Sequence, residues 1–161
     1  TLFLVSGVVQ RLSGTYELSE LGGLYRRAPV LAVLFLIPAL SLAGFPPFSG
    51  FFAKLALVQA GLAVEQYPIV AVALGVSLLT LFSMTKIWSE AFWKPADRAP
   101  EHLLPSRAVL RSLQLPIALL VGLTVTIGVA AEPTFRLAMD ASAQLMEPDG
   151  YVRAVLGRPA P

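Results

Sequence analysis

The residue with the most chemistry in this 161-residue sequence is a lysine inside an apolar segment. Lys54 closes the stretch AGFPPFSGFFAK, residues 43–54, and apolar runs flank it on both sides. An ammonium near the middle of a bilayer costs upward of about 2.5 kcal/mol, so such lysines face a bundle interior or a water-filled path. Burial favours the neutral amine and a nearby opposite charge favours the ammonium, so a lysine at depth can load and release protons. The competing uses are snorkelling to an interface or a fixed ion pair.

A helix break adjoins that lysine. Gly44, Pro46, Pro47 and Gly50 lie within ten residues of it, and two adjacent prolines with flanking glycines cannot sit in a regular helix. Irregular backbone at membrane depth is tolerated where it lines a cavity or is buried in protein. Lysine and break together therefore predict a polar path through the membrane.

Other candidates are weaker. Lys86 and Glu90 are spaced i, i+4, which allows a local ion pair, and both fall within two turns of Trp93. Lys86 is carried as a second proton-path candidate against snorkelling to the interface. Ser41, Ser49, Thr80, Ser83 and Thr85 could extend a proton path, although hydroxyls in membrane helices more often bond to backbone. Ala71 and Gly75, with Ala73 and Ser77, have spacings that suit close helix packing. His102 is the single histidine and has no second ligand near it in sequence, so no metal site is expected. The chain has no GxGxxG, GxxxxGK[ST] or HExxH motif, and no cofactor is expected. The absence of cysteine excludes disulfides, thiolate-held clusters and cysteine nucleophiles within this chain.

The elements that must position these residues are membrane helices. Only 14% of the chain is charged, against about 25% in soluble domains, and the mean hydropathy is +0.72. The stretches Ala28 to Ala53, Gln66 to Thr85 and Ser112 to Ala131 carry no charge, and each is long enough for a span of about 20 residues. A net charge of +2 is too small to suggest nucleic acid as a partner. The fold class read from this is all-α, a polytopic transmembrane bundle.

The spans fall at about 1–12, 28–64 with a break near 44–50, 67–93 and 111–131. They make a transmembrane part over 1–136 and a tail over 137–161. Ser13-Gly14-Thr15 ends the first helix, Pro29 suits the first turn of the next, and Glu132-Pro133 terminates or kinks the last. Trp88, Phe92 and Trp93 suggest an interfacial aromatic belt. The loop 95–111 reads as irregular, and Pro148-Asp149-Gly150 as a turn between two short surface helices. Thr1 to Val9 reads as the back half of a helix, so the sequence is expected to be a piece of a longer chain.

Segment 28–64 is either one discontinuous span or two full ones. With one span, the loops 11–27 and 94–111 share a side that holds seven Lys/Arg, opposite Arg136, Arg153 and Arg158. With two spans that bias almost vanishes. The positive-inside rule favours the single broken span, with the seven-charge side cytoplasmic.

AGFPPFSGFFAK resembles the antiporter-like subunits shared by Mrp-type multisubunit sodium/proton antiporters and respiratory complex I. LFLVSGVV at 2–9 and LGGLYRRAP at 21–29 extend the likeness. LTLFSMTKIWSEAFW at 79–93 and YVRAVLG at 151–157 resemble the Mrp antiporter branch of that family rather than complex I. The resemblance implies that Lys54 sits in a discontinuous helix of a second inverted repeat and belongs to the central proton pathway. It also implies a multi-pass subunit of a cell-membrane complex, with other antiporter subunits, the lipid bilayer, protons and sodium as partners. The family's other key Glu and Lys lie in a first repeat that this sequence does not contain. The alternative it implies is a proton-pumping subunit of complex I or a related redox-driven pump. A third reading, outside transport, is a membrane scaffold with Lys54 statically paired.

Overall fold

The computed structural model describes residues 1–95, 107–146 and 155, and all regular structure among them is helical. The chain divides into two units, 1–129 and 130–161.

In the first unit, α1 (Leu2–Ser13) stops where the turn residues predict. Gly14 takes φ 76°, a left-handed conformation that glycine adopts freely, and its N–H donates to the Gln10 carbonyl at 2.7 Å. A 3₁₀ turn (Leu18–Glu20) and the short α2 (Leu24–Arg27) lead into α3 (Pro29–Ala43). Proline opens α3, where its missing N–H costs nothing. Then follow α4 (Ser49–Ala63), α5 (Tyr67–Trp88) with a π-helical turn (Ser89–Trp93), and α6 (Arg107–Val129).

Residues 44–48 separate α3 from α4. Gly44, at φ 88°, ends α3, and the N–H groups of Gly44 and Phe45 both return to the Leu40 carbonyl at 3.1 and 2.9 Å. That pattern stops the helix before the prolines are reached. The Pro46-Pro47 peptide bond is cis.

Helices α3 and α4 together run the length that α5 covers alone. At the middle of α3, Phe35 meets Trp88 and Phe92 at ring-centroid distances of 6.2 and 5.4 Å. At the break, Ala43 and Gly44 share a cavity wall with Leu74, Ser77 and Leu78. Near the end of α4, Gly61 lies against Val70. The break thus sits opposite the middle of α5. The Gly23 N–H donates to the Lys94 carbonyl at 2.6 Å. The loop before α3 and the end of α5 therefore lie together at one end of the bundle.

The core is formed by Val5, Val8 and Leu12 of α1, Leu31, Ala32 and Phe35 of α3, Ile117 and Val121 of α6, and Phe92. Helices α4 and α5 contribute almost nothing to it. Along α5, residues such as Leu78 and Phe82 are 70% and 66% exposed. Among the described residues Tyr67–Trp93 and Val109–Val129 are each long and apolar enough to cross a membrane. An exposed apolar surface of this extent needs lipid or protein against it.

The last helix of the first unit ends at Val129, and Glu132-Pro133 does not terminate it. Pro133 stands instead in the first turn of α7 (Ala131–Met146), the helix of the second unit, where proline is accommodated. Within α7, Arg136 pairs with Glu132 at 2.6 Å. His102, the loop prolines at 100 and 105, the turn Pro148-Asp149-Gly150 and nearly all of YVRAVLG lie outside the described residues.

Candidate functional site

Lys54 stands in the second turn of α4, half-buried, and its side chain folds back over the end of α3. Its Nζ donates to the Ala43 carbonyl at 3.0 Å. The last carbonyls of a helix have no partner within it, so the lysine satisfies one of them and lies at the negative end of the α3 dipole. A Cβ added to Gly44 would come 2.7 Å from Lys54 Cδ, so glycine makes room for the lysine stem. Among the described residues no carboxylate pairs with Lys54, because the ion pairs found are Lys94–Glu90 and Arg136–Glu132. A fixed ion pair therefore has no support from this chain's own described acids.

The amine borders an open cavity of ≈520 Å³ that Ser41, Ser49 and Thr124 also line, together with Pro38 and Leu42. Water occupies about 30 Å³ per molecule in the liquid, so the open space has room for several waters. Its wall is mixed, with hydroxyls from α3, α4 and α6 set among apolar groups.

The candidate hydroxyls separate into two kinds. Thr80, Ser83 and Thr85 each donate to the carbonyl four residues back on α5, at 2.8, 2.9 and 2.8 Å, which is the ordinary use of a hydroxyl in an apolar helix. Ser41 and Ser49 do otherwise. Their Oγ atoms lie 3.2 Å apart, and Ser41 Oγ accepts the Gly50 N–H at 3.2 Å.

Of the four break residues, Gly44, Pro46 and Pro47 lie in the irregular segment, whereas Gly50 stands in the first turn of α4. Its role is close approach rather than chain reversal, because a Cβ there would overlap the Ser41 carbonyl. Sequence reasoning did not single out α6 at this site. Gly128 packs its backbone on the break, with Pro47 O 2.5 Å and Ser49 N 2.8 Å from where a Cβ would stand. The sequence signal was weak, because the same apolar helix carries two glycines, Gly122 and Gly128, and only the second makes a close backbone contact.

Lys86 is exposed on α5, with no hydrogen-bond or ion-pair partner among the described residues. The Lys86–Glu90 pair that the spacing allows does not form, and Glu90 pairs with Lys94 at 3.4 Å, one turn further on. Lys94 Nζ also donates to the Ser19 carbonyl at 2.9 Å, which ties that end of α5 to the loop after α1. The aromatic belt narrows to Trp93, which is 69% exposed. Trp88 and Phe92 turn inward instead and stack on each other at 4.8 Å.

Residues 1–80 match the family described as NADH:quinone oxidoreductase/Mrp antiporter, TM. Over 96% of its length the chain is 46% identical to the D-type subunit of the Na(+)/H(+) antiporter of Alkalihalophilus pseudofirmus. The chain belongs to this antiporter-like family. The corresponding antiporter subunit of Bacillus subtilis is 36% identical over the same share, and this chain spans 31% of the length of either relative. On the quinone-linked side of the family, the NAD(P)H-quinone oxidoreductase subunit 2 of Rippkaea orientalis is 31% identical over 80% of this chain and 26% of its own. The solved structure of the Mrp complex from Dietzia sp. DQ12-45-1b contains a chain that superposes with a TM-score of 0.79 at 32% identity, covering 96% of this chain and 36% of that one. The family fold is therefore an all-helical membrane bundle in this chain too.

Proposed function

We propose that this chain is part of a membrane subunit of a multisubunit sodium/proton antiporter, in which Lys54 relays protons across the middle of the bilayer. One observation carries the reading. A lysine half-buried at a helix break holds a backbone carbonyl instead of a carboxylate, and it borders an open cavity in which Ser41, Ser49 and Thr124 stand among apolar groups. An amine held this way is placed without being locked in an ion pair, so it can hand its proton to water in the cavity and take another.

In this reading α3 and α4 form one crossing. Each helix is 15 residues, about 23 Å, and too short alone for a hydrocarbon core of about 30 Å. The bond between Gly23 and Lys94 supports the same count. Lys86 is the proposed second relay point, nearer the end of α5 that carries Trp93. Other subunits of the complex complete the path, and the cell membrane is the proposed location. The identity with sodium/proton antiporter relatives over nearly the whole chain favours sodium/proton exchange over the quinone-linked branch.

The test is sodium-induced collapse of a preset pH gradient in everted vesicles that contain the intact parent complex. Wild type collapses the gradient on sodium addition and Lys54→Ala, at matched assembly, does not. Equal collapse by both would reduce Lys54 to structure. A gradient that only NADH builds, with no response to sodium, would transfer the chain to the quinone-linked branch.

A further inference from the structure

Ser41 is the only buried polar side chain among the described residues, at 7% exposure. Its hydroxyl is not spent on its own helix, unlike those of Thr80, Ser83 and Thr85. It accepts the N–H of Gly50, a residue in the first turn of the next helix, at 3.2 Å. The N–H groups of a first turn have no partner within their own helix and ordinarily receive one from the side chain at the cap. Here the cap position is Phe48, which has no acceptor to offer. Ser41 supplies that acceptor from α3.

The consequence lies four residues further along α4. Gly50 and Lys54 share a face of the helix, and their partners, Ser41 and Ala43, are two residues apart at the end of α3. The clamp and the lysine's carbonyl contact therefore belong to one interface, set by the register of α4 on α3. Gly50 allows that register, since any Cβ there would overlap the Ser41 carbonyl. Loss of the clamp leaves a first-turn N–H without an acceptor and frees α4 to slide, and Lys54 Nζ then loses Ala43 O. Ser49 is not required for this, because its hydroxyl only pairs with that of Ser41.

We propose that Ser41 is a positioning residue for Lys54: its hydroxyl holds the first turn of α4 on the last turn of α3, and so holds the lysine amine on the Ala43 carbonyl. The inference rests on the relay role of Lys54 given above.

The experiment is sodium-driven gradient collapse by the intact parent complex in everted vesicles, with maximal rate expressed per assembled complex. Ser41→Ala lowers that rate about ten-fold, the scale of one lost hydrogen bond, and leaves the sodium concentration for half-maximal rate unchanged. Ser41→Thr, which keeps the acceptor, recovers most of the rate, and Ser49→Ala, which removes one cavity hydroxyl but leaves the clamp, loses clearly less than Ser41→Ala does. Ser41→Cys combined with Ser49→Cys, in a parent complex freed of any other cysteines, gives a second measurement. The reduced pair is slow, and a disulfide formed by mild oxidant replaces the clamp and restores the rate. This pair carries the test if Ser41→Ala does not assemble.

Wild-type turnover by Ser41→Ala would overturn the assignment, as would equal losses in Ser41→Ala and Ser49→Ala, which would make the two hydroxyls members of a water path. An oxidised cysteine pair that stays as slow as the reduced one would also overturn it. Lys54→Ala separates the two levels. If that variant is inactive while Ser41→Ala is normal, only the role of Ser41 falls. If it transports normally, the relay reading falls and takes Ser41 with it.

Discussion

Lys54 Nζ and the Ala43 carbonyl, eleven residues apart in sequence, meet at 3.0 Å across the break between α3 and α4. The contact serves two ends. It satisfies a helix-end carbonyl that the prolines leave without a backbone donor, and it holds a half-buried amine without a carboxylate. Substitution by arginine separates those ends, because arginine keeps the charge and the donors but does not release a proton. Lys54→Arg is expected to assemble in wild-type amounts and to show no sodium-driven gradient collapse. Transport by this variant would mean that the charge, and not its proton, is what the site uses.

Gly128 tests how closely α6 closes over the break. A methyl group there meets Pro47 O and Ser49 N, both backbone atoms that cannot swing aside. Gly128→Ala is expected to destabilise by about 1–3 kcal/mol, which outweighs the roughly 1 kcal/mol that alanine adds to helix propensity. Gly122, on the same helix, has open space at that position, so Gly122→Ala should be neutral or mildly stabilising. Thermal melting of the detergent-solubilised complex compares the two, and equal shifts would contradict the packing.

What the sequence made legible was the chemistry that stands close together along it. The prolines, the glycine that ends α3, the apolar lengths and the position of the break beside Lys54 all follow from local rules. What it hid is contact between residues far apart. Nothing in SLAG or SGFF announces that Ser41 serves Gly50, and the approach of Gly128 to Pro47 spans some eighty residues. Glu90 escapes the local rule because i, i+4 spacing offers it Lys86 and Lys94 equally, and the π-helical turn at 89–93 brings the second within reach. Pro133 is ambiguous in sequence because proline ends one helix and begins another with the same ring.

Lys86 is exposed and without a partner among the described residues, so its removal strands no buried group. Lys86→Ala is expected to leave assembly unchanged and to slow transport less than Lys54→Ala does, with gradient collapse in vesicles as the readout. Complete loss at normal assembly would rank it with Lys54 in the relay. Glu90→Gln bears on the same end of α5. Its pair with Lys94 is more than a third exposed on both sides, so the change should cost less than about 1 kcal/mol in a thermal melt.

The aromatic group at that end of α5 separates packing from anchoring. Phe92 is 2% exposed and lies between Phe35 at 5.4 Å and Trp88 at 4.8 Å, so truncation leaves a cavity that neither ring can fill without moving. Phe92→Ala is expected to cost about 3 kcal/mol, at the low end for a buried phenylalanine because lipid rather than water surrounds the bundle. Trp93, next in sequence, points outward, and Trp93→Ala removes no internal contact of this kind. Its effect should be small in detergent and should appear, if anywhere, as weaker retention in vesicles, where an interfacial ring meets the headgroups. Melting temperatures of the two variants in detergent decide the matter. A loss for Trp93→Ala as large as that for Phe92→Ala would show that the outward ring packs against a neighbouring subunit rather than lipid.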